Sequence, residues 1–69
     1  MKKLSGKEVC KILSRLGFEN VRQHGSHIIM QKKTAGSTVT VPVPNHKELK
    51  EGTLRSIMRQ SGISKEEFE

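Results

Sequence analysis

The chain has 69 residues and a single cysteine, Cys10, so any fold must form without an internal disulfide. A domain this small buries only roughly 60% of the surface that its unfolded chain exposes, so its stability depends on a thin apolar core. We expect one domain over residues 1–69. A lone cysteine is typical of a reducing compartment, and Met1-Lys2-Lys3 leads into an amphipathic helix rather than an apolar run. We therefore expect a cytoplasmic protein with no membrane partner.

Turn signals divide the chain into short elements. Ser5 and Glu8 form a capping box for a helix whose apolar residues follow at helical spacing until Gly17. Strands are predicted over 18–23, 27–33 and 37–43, with Gly25-Ser26 supporting the first turn between them. Pro42 and Pro44 are expected to end the third strand, followed by a polar loop over 45–51 and a second helix over about 53–61. Phe68 is expected to pack back onto the domain.

Alternation along the strands predicts two different sheet faces. The face toward the helices should carry Val21, Ile28, Met30, Val39, Val41 and Val43. The opposite face should carry Arg22, His27, Gln31, Thr38 and Thr40. The predicted fold is α+β: a helix, a three-stranded antiparallel sheet and a helix in two layers, with one sheet face exposed.

Positive charge is concentrated in the body of the chain. Residues 1–65 hold all 13 Lys and Arg against four Glu, which gives a net charge of +9, while the remaining three Glu lie in the last four positions. A small body this basic attracts polyanions, which favours nucleic acid as partner. A basic surface without a dedicated ligand is the alternative. Because Trp and Tyr are absent and both Phe are expected in the core, contacts to phosphate are favoured over base stacking.

His27 is the residue best suited to chemistry. RNA supplies its own nucleophile, so a protein that cleaves it needs a base for the 2′-hydroxyl proton and an acid for the leaving 5′-oxygen. An imidazole can do either near neutral pH. His27 begins a strand after Gly25-Ser26, where little side-chain bulk obstructs a phosphate. The alternative is an exposed strand histidine without a task.

The residues that could act as metal ligands are His24, His27, His46 and Cys10. Cys10 lies on a helix flank, and the sequence does not fix the geometry of the turn between His24 and His27. We therefore predict neither a metal nor a cofactor. His24 is assigned no role, and Ser26 and His46 are candidate helpers of His27.

Several segments in succession resemble the HicA family of toxins. They are Gly17-Phe18, Val21-Arg22-Gln23, Gly25-Ser26-His27, Val41-Pro42-Val43-Pro44, His46, Gly52-Thr53-Leu54-Arg55-Ser56-Ile57, Gly62-Ile63 and Phe68. The resemblance covers nearly the whole chain in order. It implies a fold like the double-stranded RNA-binding domain, ribonuclease activity against messenger RNA, and neutralisation by a HicB-type antitoxin.

The resemblance also assigns the catalytic histidine of the family's Gly-Ser-His motif to His27. Residues expected to contact RNA are Gly25, Arg22, Lys32, Lys33, Lys47, Lys50, Arg55 and Arg59. The leading hypothesis is a metal-independent endoribonuclease that acts as a toxin. A non-catalytic RNA-binding module on the same fold is the runner-up, and a protein-interaction domain is disfavoured by the basic body.

Overall fold

The computed structural model describes residues 3–69. Its elements are α1 (Gly6–Arg15), β1 (Glu19–His24), β2 (His27–Thr34), β3 (Ser37–Pro44), α2 (Glu51–Ser61) and a final 3-10 turn (Lys65–Phe68). The strands form one antiparallel sheet in the order β1-β2-β3. This arrangement confirms the predicted fold class, with the element order of a double-stranded RNA-binding domain.

The start of α1 follows from its first residues. The Glu8 amide donates to Ser5 Oγ at 3.1 Å, and the Ser5 amide donates to Glu8 Oε1 at 2.9 Å, so the predicted capping box is present. At the other end Gly17 adopts a φ of 100°, which lets the chain turn into β1 without a steric penalty. The capping box and this glycine together set the bounds of the helix.

One face of the sheet packs on both helices and the other is open. The core consists of Leu4, Val9, Ile12, Leu13, Phe18, Ile28, Met30, Val41, Val43, Leu49, Leu54, Ile57 and Phe68. The β2 and β3 residues in this core are the ones that alternation predicted, and Val39 is partly buried at the edge of the core. Phe68 is buried, as expected from the sequence. Within residues 3–69, no helix combines the length and apolar character that a membrane crossing needs.

The assignment of Val21 to the core face was wrong. The pairing of β1 with β2 shifts between Asn20, opposite Met30, and Arg22, opposite Ile29, so Val21 is an extra residue in a bulge. Its side chain is 46% exposed. Because one extra residue interrupts the alternation, Asn20 takes the helix-facing position that the sequence pattern gave to Val21.

The connection from β3 to α2 also differs from the sequence prediction. Strand β3 ends at Pro44, as predicted, whereas Pro42 lies within it opposite Ile29. An edge strand tolerates a proline because it needs no donor on its outer side. The following loop is not wholly polar, since Leu49 is buried and its amide donates to the Leu4 carbonyl oxygen at 2.8 Å. Helix α2 then begins at Glu51 rather than near Thr53.

Gly6 lies where α1 presses against the end of β3. A Cβ on Gly6 would overlap the carbonyl oxygen of Pro44, a backbone atom that cannot move aside without shifting the strand. We expect Gly6→Ala to lower the free energy of unfolding by about 1–3 kcal/mol. Urea unfolding of the wild-type and Gly6→Ala proteins measures this difference in the free energy of unfolding.

Gly52 in α2 is the matched control, because its missing Cβ faces open space. We expect Gly52→Ala to raise the free energy of unfolding by about 0.4–1 kcal/mol, since alanine restricts the unfolded chain. Equal effects of the two substitutions would show that the contact between Gly6 and Pro44 is not close in solution.

Candidate nucleic-acid interface and catalytic site

His27 is the first residue of the central strand β2 and is exposed on the open face. Its neighbours across the sheet are His24 on β1 and Pro44 on β3. Ile28, the next residue, points the other way into the core. The strand therefore anchors the backbone of His27 while leaving the imidazole accessible to a ligand.

The turn before His27 is short and is held by the rest of the domain. Gly25 has a φ of 62° at the first of two central turn positions, a backbone conformation that favours glycine, and nothing lies within 4 Å of where its Cβ would be. The Asn45 amide donates to the Ser26 carbonyl oxygen at 2.7 Å. A phosphate can thus approach Gly25 closely in a turn whose position is fixed.

His46 lies at the same end of the domain. It follows Asn45, which binds the turn, and its carbonyl oxygen accepts from the Gly6 amide at 2.9 Å. The structure therefore brings together the β1–β2 turn, the start of α1 and the loop before α2. Ser26 and His46, the candidate helpers, both belong to this cluster of segments, and both are exposed.

Sequence reasoning gave His24 no role, yet it lies directly opposite His27 in the pairing of β1 with β2. Opposite residues share a sheet face, and both histidines are exposed. The signal was present in the sequence, because a two-residue Gly-Ser turn places the residues that flank it opposite each other. The length of the turn therefore places the two imidazoles side by side.

The two neighbouring lysines of β2 lie on different faces. Lys33 is exposed on the open face opposite Thr38. Lys32 points to the helix side, where its Nζ lies 5.9 Å from the centroid of the Phe18 ring. Both β2 lysines were predicted to contact RNA, but only Lys33 shares the face of His27.

The remaining predicted RNA contacts fall into two groups. Arg22 is exposed on the open face two residues before His24, while Lys47 and Lys50 are exposed in the loop between β3 and α2. Arg55 and Arg59 lie on the exposed side of α2, and Arg55 pairs with Glu51 at 2.6 Å. Arg22 thus shares the sheet face of His27, Lys47 and Lys50 lie in the loop that begins with Asn45 and His46, and the α2 arginines belong to another surface.

Apolar residues on the open face were missed by the sequence analysis. Ile29 is half-buried at its centre, Pro42 lies directly opposite on β3, and the bulge leaves Val21 exposed on the same side. Gln31 beside them donates through Nε2 to Thr40 Oγ1 at 3.2 Å. The open face is therefore a mixed surface with a small apolar centre, not a purely basic one.

A groove lies on the other side of the sheet. It runs between α1 and β1 and is lined by Lys7, Cys10, Lys11, Asn20 and Gln23, among others. Burial raises the pKa of the Cys10 thiol, which keeps it protonated and a poor nucleophile. The groove holds no histidine, so His27 remains the centre of the candidate site.

The structure does not bring Cys10 together with the three histidines. Across residues 3–69, no three His, Cys, Asp or Glu side chains lie close enough to hold a metal ion. Among the described residues, His24 and His27 have no third potential ligand side chain with which they could hold a metal ion.

Comparison with known proteins identifies the family. The sequence model of the family described as the HicA toxin of bacterial toxin-antitoxin systems matches residues 6–63. The match spans all three strands, the turn before His27 and the whole of α2. Searches of curated proteins and of solved structures gave no significant match. Because the family model covers most of the sequence, the chain belongs to the HicA family of toxins of bacterial toxin-antitoxin systems.

Proposed function

We propose that this chain is an endoribonuclease toxin that cleaves messenger RNA without a metal ion, with His27 as its principal catalytic residue. The observation that carries the proposal is the placement of His27. Its imidazole is exposed on the open face, beside a glycine turn with free space around it and in a sheet that also presents Arg22. Membership of a toxin family supports the same assignment.

The proposed reaction uses the 2′-hydroxyl of RNA as nucleophile. Its proton passes to a base while the 2′-oxygen attacks phosphorus, and the 5′-oxygen leaves with a proton from an acid. His27 takes part in one of these two transfers. Arg22 lies on the same face and can stabilise the negative charge that builds on the phosphate oxygens.

RNA is proposed to approach along the open face and the loop before α2. Arg22, Lys33, Lys47 and Lys50 form no ion pair within residues 3–69, so their charges are available to phosphates. Gly25 and Ser26 would contact the phosphate nearest to His27. The proposed role of the α2 arginines and Lys32 is secondary, because they lie on other surfaces.

A HicB-type antitoxin is the proposed protein partner of the toxin. The open face offers it apolar contacts at Val21, Ile29 and Pro42, with exposed cations around them. An acidic partner surface would be steered to those cations in the same way as RNA. Antitoxin bound there would cover His27 and compete with RNA.

The test of the proposed activity is cleavage of a long transcript by the purified protein in excess EDTA. We expect discrete fragments to appear at the same rate with and without the chelator, because the nucleophile comes from the substrate. Cleavage that requires added Mg²⁺ would indicate a metal-activated water instead. Binding of RNA without cleavage in either condition would favour the non-catalytic RNA-binding module.

The neighbours Lys33 and Lys32 test where RNA lies. Each phosphate contact on a single strand contributes roughly −0.7 to the slope of log affinity against log salt. In a cleavage-deficient His27→Ala background, we expect Lys33→Glu to flatten this slope by at least the contribution of one phosphate contact. We expect Lys32→Glu to change the slope less. Affinities measured over a series of KCl concentrations give both slopes.

The two lysines are one residue apart and differ mainly in the sheet face that they occupy, which makes them a matched pair. A slope that Lys32→Glu flattens as much as Lys33→Glu would place the RNA outside the open face. In that case the α2 surface with Arg59 would become the leading candidate for the RNA track.

A further inference from the structure

His24 and His27 are paired across the first hairpin. They are opposite residues of β1 and β2, with only Gly25 and Ser26 between them in the chain. Opposite residues on one sheet face have Cβ atoms about 4.5–5.5 Å apart. Both side chains are exposed, and the hydrogen bond from the Asn45 amide to Ser26 holds the turn between them.

We propose that His24 is the second proton-transfer group of the ribonuclease reaction, so that His24 and His27 act together as base and acid on one phosphate. The proposal rests on the ribonuclease function proposed above and adds a residue to it. Cleavage by this route needs two proton transfers, one at the 2′-oxygen and one at the 5′-oxygen of the same phosphate, and the hairpin presents two histidines on one face.

The spacing suits such a reaction. In an in-line displacement the entering 2′-oxygen and the leaving 5′-oxygen lie on opposite sides of phosphorus. Two imidazoles whose Cβ atoms are about 5 Å apart can tilt away from each other and hold a phosphate between their ring nitrogens, each within a hydrogen bond of about 2.8 Å. Gly25 leaves the space above the turn open for that phosphate.

The protons and bonds balance in this scheme. One imidazole, neutral at the start, takes the 2′-hydroxyl proton as the bond from the 2′-oxygen to phosphorus forms. The other, protonated at the start, gives its proton to the 5′-oxygen as the bond from phosphorus to that oxygen breaks. The products are a 2′,3′-cyclic phosphate and a 5′-hydroxyl. Hydrolysis of the cyclic phosphate by water, with the roles reversed, restores both imidazoles.

Other residues near the pair are less suited to the second transfer. A guanidinium group does not serve as a general acid or base, so Arg22 can only stabilise charge. Pro44, opposite His27 on β3, has no acidic or basic side-chain group. His46 lies in the loop beyond Pro44 and is not paired with His27 in the sheet.

The first test compares His24→Ala, His27→Ala and His24→Lys on the same RNA. We expect each of the three to lower the cleavage rate by about 10²-fold or more, with unchanged circular dichroism. Lysine keeps a positive charge at position 24, so a His24→Lys variant that cleaves at the wild-type rate would reduce His24 to a phosphate contact and overturn the proposal.

The second test uses RNA in which sulfur replaces the bridging 5′-oxygen at the scissile phosphate. A thiolate leaves without protonation, so the variant that lacks the acid should recover to within about tenfold of the wild-type rate, while the variant that lacks the base should not. If the cleavage rate recovers in both histidine variants, or in neither, the two histidines do not divide the roles of acid and base.

Failure of this proposal is distinguishable from failure of the proposed function. Normal cleavage by His24→Ala together with loss of cleavage in His27→Ala would remove His24 from the reaction and leave the ribonuclease assignment standing. Absence of RNA cleavage by the wild-type protein would instead overturn the proposed function, and with it the acid-base pair.

Discussion

Replacing His27 with alanine is expected to lower the rate of RNA cleavage by about 10²- to 10⁴-fold, the usual contribution of a general acid or base. The fold should survive, because the side chain is exposed and the core contact at this point of β2 is made by Ile28. Single-turnover cleavage measures the rate, and urea unfolding measures the stability.

Gln60→Ala serves as the control for this substitution. Gln60 is exposed on α2, outside the proposed site, so its replacement should change the free energy of unfolding by less than about 0.5 kcal/mol and leave cleavage intact. A folded His27→Ala protein that cleaves RNA as fast as the wild type would remove His27 from the catalytic role.

Removing the 2′-hydroxyl at the scissile nucleotide is expected to abolish cleavage at that position. In the proposed reaction this hydroxyl is the nucleophile, and no residue of the chain replaces it. Once a cleavage site has been mapped on a short RNA, synthesis of the same RNA with one 2′-deoxy nucleotide provides the substrate. Denaturing electrophoresis then measures the remaining product.

The matched substrate carries the 2′-deoxy nucleotide one position downstream. It keeps the nucleophile, so it should be cut at a rate close to that of the unmodified RNA. Equal cleavage of both modified substrates at the mapped site would mean that the nucleophile comes from water rather than from the RNA.

Local signals in the sequence were sufficient for most of the fold. The capping box at Ser5 and the glycine after α1 mark one helix, and the Gly-Ser turn marks the first hairpin. Alternation in β2 and β3 assigned their buried residues correctly, because those strands pair without interruption. These features depend only on residues close together in the chain.

The errors arise where tertiary context decides. The bulge at Val21 depends on how β1 meets its partner strand, and nothing in the local sequence marks the extra residue. Leu49 stands alone among polar residues, so no periodicity reveals that the loop packs on Leu4. Both features become visible only when distant segments are placed together.

The geometry around the candidate site was predicted in part. The position of His27 at the start of a strand was sufficient to predict that its side chain is exposed and that a turn precedes it. Lys32 and Lys33 were both expected to contact RNA, but the two-residue period of a strand sends them to opposite faces. His24 received no predicted role because the family resemblance assigns the catalytic position to His27 alone, although the register places His24 directly opposite His27.

The chemical group at the 3′ end of the upstream fragment tests the central claim most directly. Mass spectrometry of fragments produced by the wild-type protein in excess EDTA distinguishes the alternatives. Attack by the neighbouring hydroxyl, with His27 moving a proton, predicts a 2′,3′-cyclic phosphate or the 3′-phosphate formed from it by hydrolysis. Fragments that end in a 3′-hydroxyl would contradict this mechanism.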